Sequence, residues 1–252
     1  EWQLIAANVD TAFIVCSMNE DFNPSRIERY LALAQAADAE PVVVLTKADL
    51  TDEPESWRDN VRRIDKQLQV ITVNALENSS MDALSDWLKP GNTVVMLGSS
   101  GVGKSTLTNT LLGEFRQSTQ GIRVDDAKGR HTTTGRSLFP LPQGGLILDT
   151  PGMRELQLAD CHDGIVSAFA DIQLLTEACR FADCQHDQEP GCAVQAAVEQ
   201  GSLDSRRLSN YQKLLREDAL NSASLAQKRA KDKAFTRFVN FSQKESRKFK
   251  GR

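Results

Sequence analysis

The sequence predicts an α/β domain with a mainly parallel sheet, followed by a small, mostly helical domain. Three observations carry this. Over residues 1–149, short apolar, β-rich runs alternate with stretches that open on helix-start signals. Within that alternation, Val94–Leu107 (VVMLGSSGVGKSTL) reads as a buried strand, a glycine-rich loop and the start of a helix. From Gly164 onward helix signals dominate, interrupted only by a cluster of Cys and His. A boundary is therefore expected near Leu158, with residues 1–158 in the first domain and 159–252 in the second.

The elements follow in order. Thr11–Cys16 (TAFIVC) is a short β-rich run. Asn23-Pro24 reads as an N-cap followed by proline at the first helical position, opening a helix to about Ala37. Pro41–Thr46 (PVVVLT) is a second buried strand, and Asp52 and Pro54 open a helix to about Lys66. Val70–Val73 is a third strand, Ser79–Leu88 a helix, and Thr93–Leu97 a fourth strand leading to a helix that ends near Leu112. Residues 117–135 are polar, Gly- and Thr-rich and aperiodic, and read as a mobile loop. Arg136–Leu141 and Gly145–Asp149 flank PQGG, as in a hairpin.

The chain has 252 residues, 40% hydrophobic and 25% charged, enough for one large or two modest globular domains. Its net charge of −4 hides an asymmetry: residues 206–252 carry 14 Lys/Arg against 4 Asp/Glu, a net of +10, which leaves −14 on residues 1–205. A basic tail on an acidic body suits a polyanionic partner, though a solvated helix has the same composition. No apolar run approaches ~18 residues and no leader pattern is read, so no membrane contact and a cytoplasmic location are expected. Five cysteines, three of them clustered around His186, suit a reducing compartment and a metal rather than a disulfide framework.

Five motifs carry chemistry. Gly98-Ser99-Ser100-Gly101-Val102-Gly103-Lys104-Ser105-Thr106 satisfies G-x-x-x-x-G-K-[ST]. Its glycines let backbone N–H groups converge on phosphate oxygens, Lys104 reaches the β- and γ-phosphates, and the Ser105 hydroxyl can ligate Mg²⁺. Asp149-Thr150-Pro151-Gly152 ends an apolar run; there Asp149 can hold Mg²⁺ through water and the Gly152 N–H can meet a γ-phosphate. In Gly129-Arg130-His131-Thr132-Thr133-Thr134, a threonine can complete the Mg²⁺ shell while a γ-phosphate is present. Thr133 is favoured, and spacing alone does not separate the three. Upstream, Thr46-Lys47-Ala48-Asp49 follows a strand; Asp49 can accept from guanine N1–H and the exocyclic amine, a donor pair that adenine lacks. The Lys47 stem can cover the base, and Asn74-Ala75, at the end of the next strand, can offer the Ala75 N–H to guanine O6. Finally, Cys179-x4-Cys184-x-His186-x5-Cys192 is a closed Cys₃His set suited to one structural Zn²⁺.

Base-reading motifs here precede the phosphate-reading ones, the reverse of ordinary GTPases. That permuted order, with GSSGVGKST, GRHTTT, DTPG and the C-x4-C-x-H-x5-C spacing, resembles the ribosome small-subunit-dependent GTPase family RsgA (YjeQ) over nearly the whole chain. The resemblance implies a circularly permuted P-loop GTPase domain followed by a zinc-binding helical domain. It also implies GTP hydrolysis stimulated by the bacterial 30S subunit late in its maturation, with binding to GTP, GDP and 16S rRNA; a monomer is expected. It points to His131 as the group that orients the attacking water, since Met153 stands where Ras-type GTPases carry Gln; contact with RNA or solvent is the other reading of His131. The family's N-terminal OB-fold has no counterpart long enough in this chain, and Thr46 stands where the common guanine motif has Asn. The rival readings are a P-loop ATPase and an RNA-binding scaffold with a structural nucleotide.

Overall fold

A computed structural model describes residues 6–114, 136–150 and 156–223. Its sheet contains β1 (Thr11–Ser17), β2 (Glu40–Thr46), β3 (Gln69–Thr72), β4 (Thr93–Leu97), β5 (Ser137–Pro140) and β6 (Leu146–Asp149), in the order β3-β2-β1-β4-β6-β5. Every neighbouring pair is parallel except β5 against β6, the hairpin that closes one edge. The central strand β1 is buried at every position. It reads as an unbroken apolar run because helices cover both faces of the sheet.

Alternation along each strand divides the core in two. Phe13, Val15, Val42, Val44 and Met96 pack with Leu107 and Leu111 of α3 (Lys104–Leu112). Ile14, Val43 and Leu45 face the other way, onto Ile27 and Leu31 of α1 (Pro24–Ala36). That second core does not stop at α1. It continues without a break through Ile165, Ile172, Val194, Leu208 and Leu214, from α4 (His162–Ala168), α5 (Ala170–Thr176), α6 (Ala193–Glu199) and α7 (Ser205–Ser222), with Phe169 at the junction of α4 and α5. The C-terminal helices thus form a further layer stacked on α1. Contact between α1 and α4 requires glycine at 164, where a Cβ would lie 2.2 Å from the Ala32 carbonyl oxygen.

Charged groups lock this layer in place. Glu28 of α1 is fully buried and accepts from Arg206 Nη1 and Nη2 (3.0 and 2.9 Å), Arg207 Nη1 (3.0 Å) and Asn210 Nδ2 (2.6 Å) of α7. Arg207 also forks onto Asp171 of α5 (2.8 and 2.6 Å), and its guanidinium lies 4.5 Å from the centre of the Phe169 ring. Arg29 pairs with both oxygens of Glu217 at 2.6 Å and donates to the Leu156 carbonyl at 2.8 Å.

Two helices differ from expectation. The helix opened by Pro54 ends at Arg62 rather than Lys66 (α2, Pro54–Arg62). The Asp65 side chain accepts the Gln67 N–H at 2.8 Å, offering the backbone a turn in place of another helical bond. Its N-cap is Glu53, with no side-chain cap; the Thr51 hydroxyl accepts the Glu53 N–H at 3.2 Å instead. The stretch expected as a helix over Ser79–Leu88 is a 3₁₀ helix, Asn78–Trp87. Met81, Leu84 and Trp87 recur every three residues, the period that keeps one face of a 3₁₀ helix on the core.

Candidate functional site

The chain adds β2 and β3 to one side of β1, then returns to add β4 and β6 on the other. The strand order therefore reverses between β1 and β4, and the carboxyl ends of the parallel strands share one rim, the place where α/β sheets bind ligands. Gly98 begins the loop after β4, Thr46 ends β2, Asn74 and Ala75 follow β3, and Asp149 ends β6. Four motifs scattered over about a hundred residues thus meet at one edge.

The phosphate loop is built by close approach. A Cβ at position 98 would lie 2.5 Å from the Val15 carbonyl oxygen, so only glycine leaves β4 here beside β1. α3 then starts at Lys104, whose buried Nζ donates to the Gly98 and Ser99 carbonyls at 2.9 and 2.8 Å, curling the loop around the ammonium. Burial pushes the Lys104 pKa down to about 8, against the pull of the Asp149 charge. Asp149 is fully buried, and among the described residues neither side-chain oxygen has a hydrogen-bond partner. Burial pushes its carboxyl up to about 6; the Lys104 charge and the nearby Thr150 amide moderate the rise. Ser99 Oγ is likewise buried and has no partner among the described residues. Two orphaned carboxylate oxygens beside a phosphate loop are the donor set that a hydrated divalent cation requires, so these residues fit Mg²⁺.

Thr46 is buried, and its hydroxyl donates to the Val102 carbonyl at 2.6 Å, with the Cys16 carbonyl at 3.3 Å. The shorter side chain still braces the phosphate loop. Lys47 adopts the left-handed conformation (φ 63°), which turns the chain from β2 into the single 3₁₀ turn Ala48–Leu50 and leaves Asp49 exposed. Burial lowers the Lys47 pKa, and the charges of Asp21 and Asp49 oppose it. Asn74 shapes the next turn: its N–H donates to Ser80 Oγ at 2.9 Å and its Oδ1 accepts the Leu76 N–H at 3.1 Å.

The Cys/His set lies between α5 and α6. The ligand atoms of Cys179, Cys184, His186 and Cys192 all fall within 4.8 Å of one another. His186 Nδ1 is 3.6 Å from Cys179 Sγ and 3.5 Å from Cys192 Sγ, and the two sulfurs are 3.9 Å apart. A tetrahedral ion with bonds of ~2.3 Å to sulfur and ~2.0 Å to nitrogen places its ligand atoms about 3.5–3.8 Å apart, so the cluster fits such an ion and presents the Nδ1 face of His186. His186 itself adopts a left-handed backbone (φ 59°), and its carbonyl is held by Gln195 Nε2 at 2.6 Å and Gln212 Nε2 at 3.3 Å.

His131, Thr132, Thr133, Thr134, Gly152 and Met153, and the basic tail beyond residue 223, lie outside the described residues. Several positioning groups had not been identified in the sequence. The Thr150 hydroxyl donates to the Met96 carbonyl at 2.6 Å, tying the end of β6 to β4. Thr110 of α3 donates to the Ala75 carbonyl, and Gln195 and Gln212 hold the His186 carbonyl in the Cys/His loop. The available signal was three threonines, a weak helix-forming type, inside one nine-residue helix.

Known proteins share this arrangement. A curated relative, small ribosomal subunit biogenesis GTPase RsgA 2 of Vibrio parahaemolyticus serotype O3:K6 (strain RIMD 2210633), is 58% identical over 246 residues, covering 98% of this chain and 69% of that protein. The crystal structure of YjeQ from Thermotoga maritima matches with a TM-score of 0.58 at 29% identity, covering 83% of this chain and 71% of that one. The crystal structure of YloQ, described as a circularly permuted GTPase, matches with a TM-score of 0.57 at 28% identity, covering 83% of this chain and 68% of that one. Fold, motif order and relatives define the class: a circularly permuted GTPase with a Cys₃His cluster in its C-terminal helices. A family model described as RsgA GTPase matches residues 1–159. The chain belongs to the RsgA GTPase family.

Proposed function

We propose that this GTPase acts in biogenesis of the small ribosomal subunit, binding GTP and GDP and hydrolysing GTP when the 30S subunit stimulates it. One observation supports the nucleotide site most directly: the two oxygens of Asp149, without a hydrogen-bond partner among the described residues, lie buried at the rim where the phosphate loop leaves β4. In this reading Gly98–Thr106 wraps the phosphates and Lys104 neutralises the β- and γ-oxygens. Ser105 and Thr133 ligate Mg²⁺ directly and Asp149 through water. Mg²⁺ held by these residues would supply positive charge against the charge developing on the phosphates. The Gly152 N–H meets the γ-phosphate. Thr46, Lys47, Ala48 and Asp49, with Asn74 and Ala75, form the base pocket, and His131 orients the attacking water.

The cluster at Cys179, Cys184, His186 and Cys192 holds one structural zinc, since four protein ligands leave no open position. Residues 1–158 form the nucleotide-binding part; residues 159–252 form the metal-binding part with a basic tail that contacts 16S rRNA. The protein works as a cytoplasmic monomer; no described helix is long and apolar enough to cross a membrane.

The test is single-turnover hydrolysis by the full chain with and without 30S subunits. His131→Ala is expected to lower the stimulated rate by roughly 10²–10⁴ while leaving GDP affinity nearly unchanged. A stimulated rate near that of the unaltered protein would remove His131 from the reaction. No response to 30S subunits in the unaltered protein would remove the stimulation.

A further inference from the structure

The base-reading turns are far in sequence from the phosphate-reading elements, and at each turn a threonine hydroxyl bridges the gap. Thr46 reaches from β2 to the phosphate loop. The second bridge runs the other way. Thr110 projects from α3, the helix that leaves the phosphate loop, and its Oγ1 donates to the Ala75 carbonyl at 2.6 Å. The carbonyl of Thr106, one turn earlier in the same helix, lies at 3.0 Å. A hydroxyl carries one proton and satisfies one acceptor at a time. The shorter contact, to Ala75, takes it in preference to the local back-bond usual for helical threonines.

Beyond Val73, whose N–H donates to the Leu45 carbonyl at 2.8 Å and whose carbonyl accepts the Ala48 N–H at 3.4 Å, the other hydrogen bonds of this turn among the described residues are internal to it. Asn74 N–H donates to Ser80 Oγ, Asn74 Nδ2 to Glu77 Oε1 at 2.8 Å, and the Leu76 N–H to Asn74 Oδ1. They shape the turn without tying it to α3. Thr110 ties it. Holding the Ala75 carbonyl on α3 restricts rotation of that residue, and so restricts where its N–H can lie.

We propose that Thr110 is a positioning residue for base recognition: its hydroxyl sets the Ala75 turn at the height over the phosphate loop where the Ala75 N–H meets guanine O6. This rests on the assignment of the 74–75 turn to the base pocket. Asp49 reads the opposite part of the base edge from a different turn, which joins the first through the Ala48 N–H and the Val73 carbonyl at 3.4 Å and has no hydrogen bond to Thr110 among the described residues.

Binding of GDP, 6-thio-GDP, IDP and ADP to the full chain separates these roles. 6-Thio-GDP keeps the N1–H and the exocyclic amine but weakens the acceptor at position 6; IDP keeps O6 and loses the amine read by Asp49. Thr110→Val and Thr110→Ala should each weaken GDP binding about 3- to 30-fold, the scale of leaving one buried acceptor unsatisfied. The preference for GDP over 6-thio-GDP should narrow and that for GDP over IDP should stay. Thr110→Ser, which keeps the hydroxyl, should restore both affinity and preference. Unchanged GDP affinity in both hydroxyl-free variants overturns the proposal, as does a parallel loss of both preferences, which marks general loosening. If the unaltered protein binds ADP as tightly as GDP, the base-pocket assignment itself fails.

Discussion

The sheet rim and the C-terminal helical layer both bury polar and charged groups, but they complete them differently. Among the described residues, every buried side-chain polar atom without a partner lies at or before Asp149, and half of these atoms are on Ser99 and Asp149 at the rim. The helical layer buries Glu28, Arg207, Asn210 and Asp218 and pairs each within the chain. A buried charge without a partner disfavours folding, so a site that keeps one keeps it for a ligand; a fully paired network favours one arrangement of helices instead. The rim is organised for binding and the helical layer for holding shape.

The largest effect is expected at the Cys/His cluster. Stripping the ion, or replacing Cys179 with Ala, should cost on the order of several kcal/mol, because structural zinc supplies folding energy directly. Val194 and Ala197 of α6 share a core with α1, so the thermal midpoint of the whole chain should fall and amide exchange in α5 and α6 should accelerate. Unchanged exchange after complete chelation would mean the layer holds itself.

Arg207→Ala comes next. It leaves Glu28 and Asp171 short of a cation, and breaking a buried pair from one side costs about 3–5 kcal/mol. Denaturant unfolding of the nucleotide-free protein measures it; a loss under about 1 kcal/mol would place the network among ordinary surface pairs.

At the rim the sign should reverse. A carboxyl whose folded pKa, about 6, lies above its unfolded value contributes stability below the unfolded value and loses it as pH rises through about 6. Ionised Asp149 therefore disfavours folding at neutral pH. Asp149→Asn should raise the midpoint of nucleotide-free protein by the equivalent of about 1–3 kcal/mol while sharply weakening Mg²⁺-dependent GTP binding. A lower midpoint would erase the contrast between the two regions.

The smallest effect belongs to Glu217. Burial raises its pKa, but hydrogen bonds from Arg29 and the Leu158 N–H, with the Arg29 charge, outweigh that and leave it below the usual value. Its contribution is present above the unfolded carboxyl pKa and lost as pH falls through the lower folded one. Glu217→Gln should cost about 1 kcal/mol at pH 7 and little once the pH has fallen well below 4; acid unfolding curves for the two proteins should converge there.

Much of this was legible in the chain. Strands β1, β2 and β4 announced themselves because strands buried on both faces read as unbroken apolar runs. The phosphate loop and the Cys₃His set were legible because their chemistry demands fixed residue types at fixed local spacing, and the order of the motifs carried the permutation. Segments controlled by weak local preferences were less so: α2 stopped early at the Asp65 turn, and the 3₁₀ character of Asn78–Trp87 lay in a period of three read as a helix. What only the tertiary structure decided are the contacts between distant segments. Nothing local links Thr110 to Ala75, Thr46 to Val102, or Glu28 to Arg207. Nor does spacing reveal that α4–α7 continue the core of α1 beyond the change from strands to helices. Local sequence sets which groups a segment carries and how it bends; which distant partners complete a buried hydroxyl or charge is decided only when packing removes water and leaves each one the neighbours that the fold supplies.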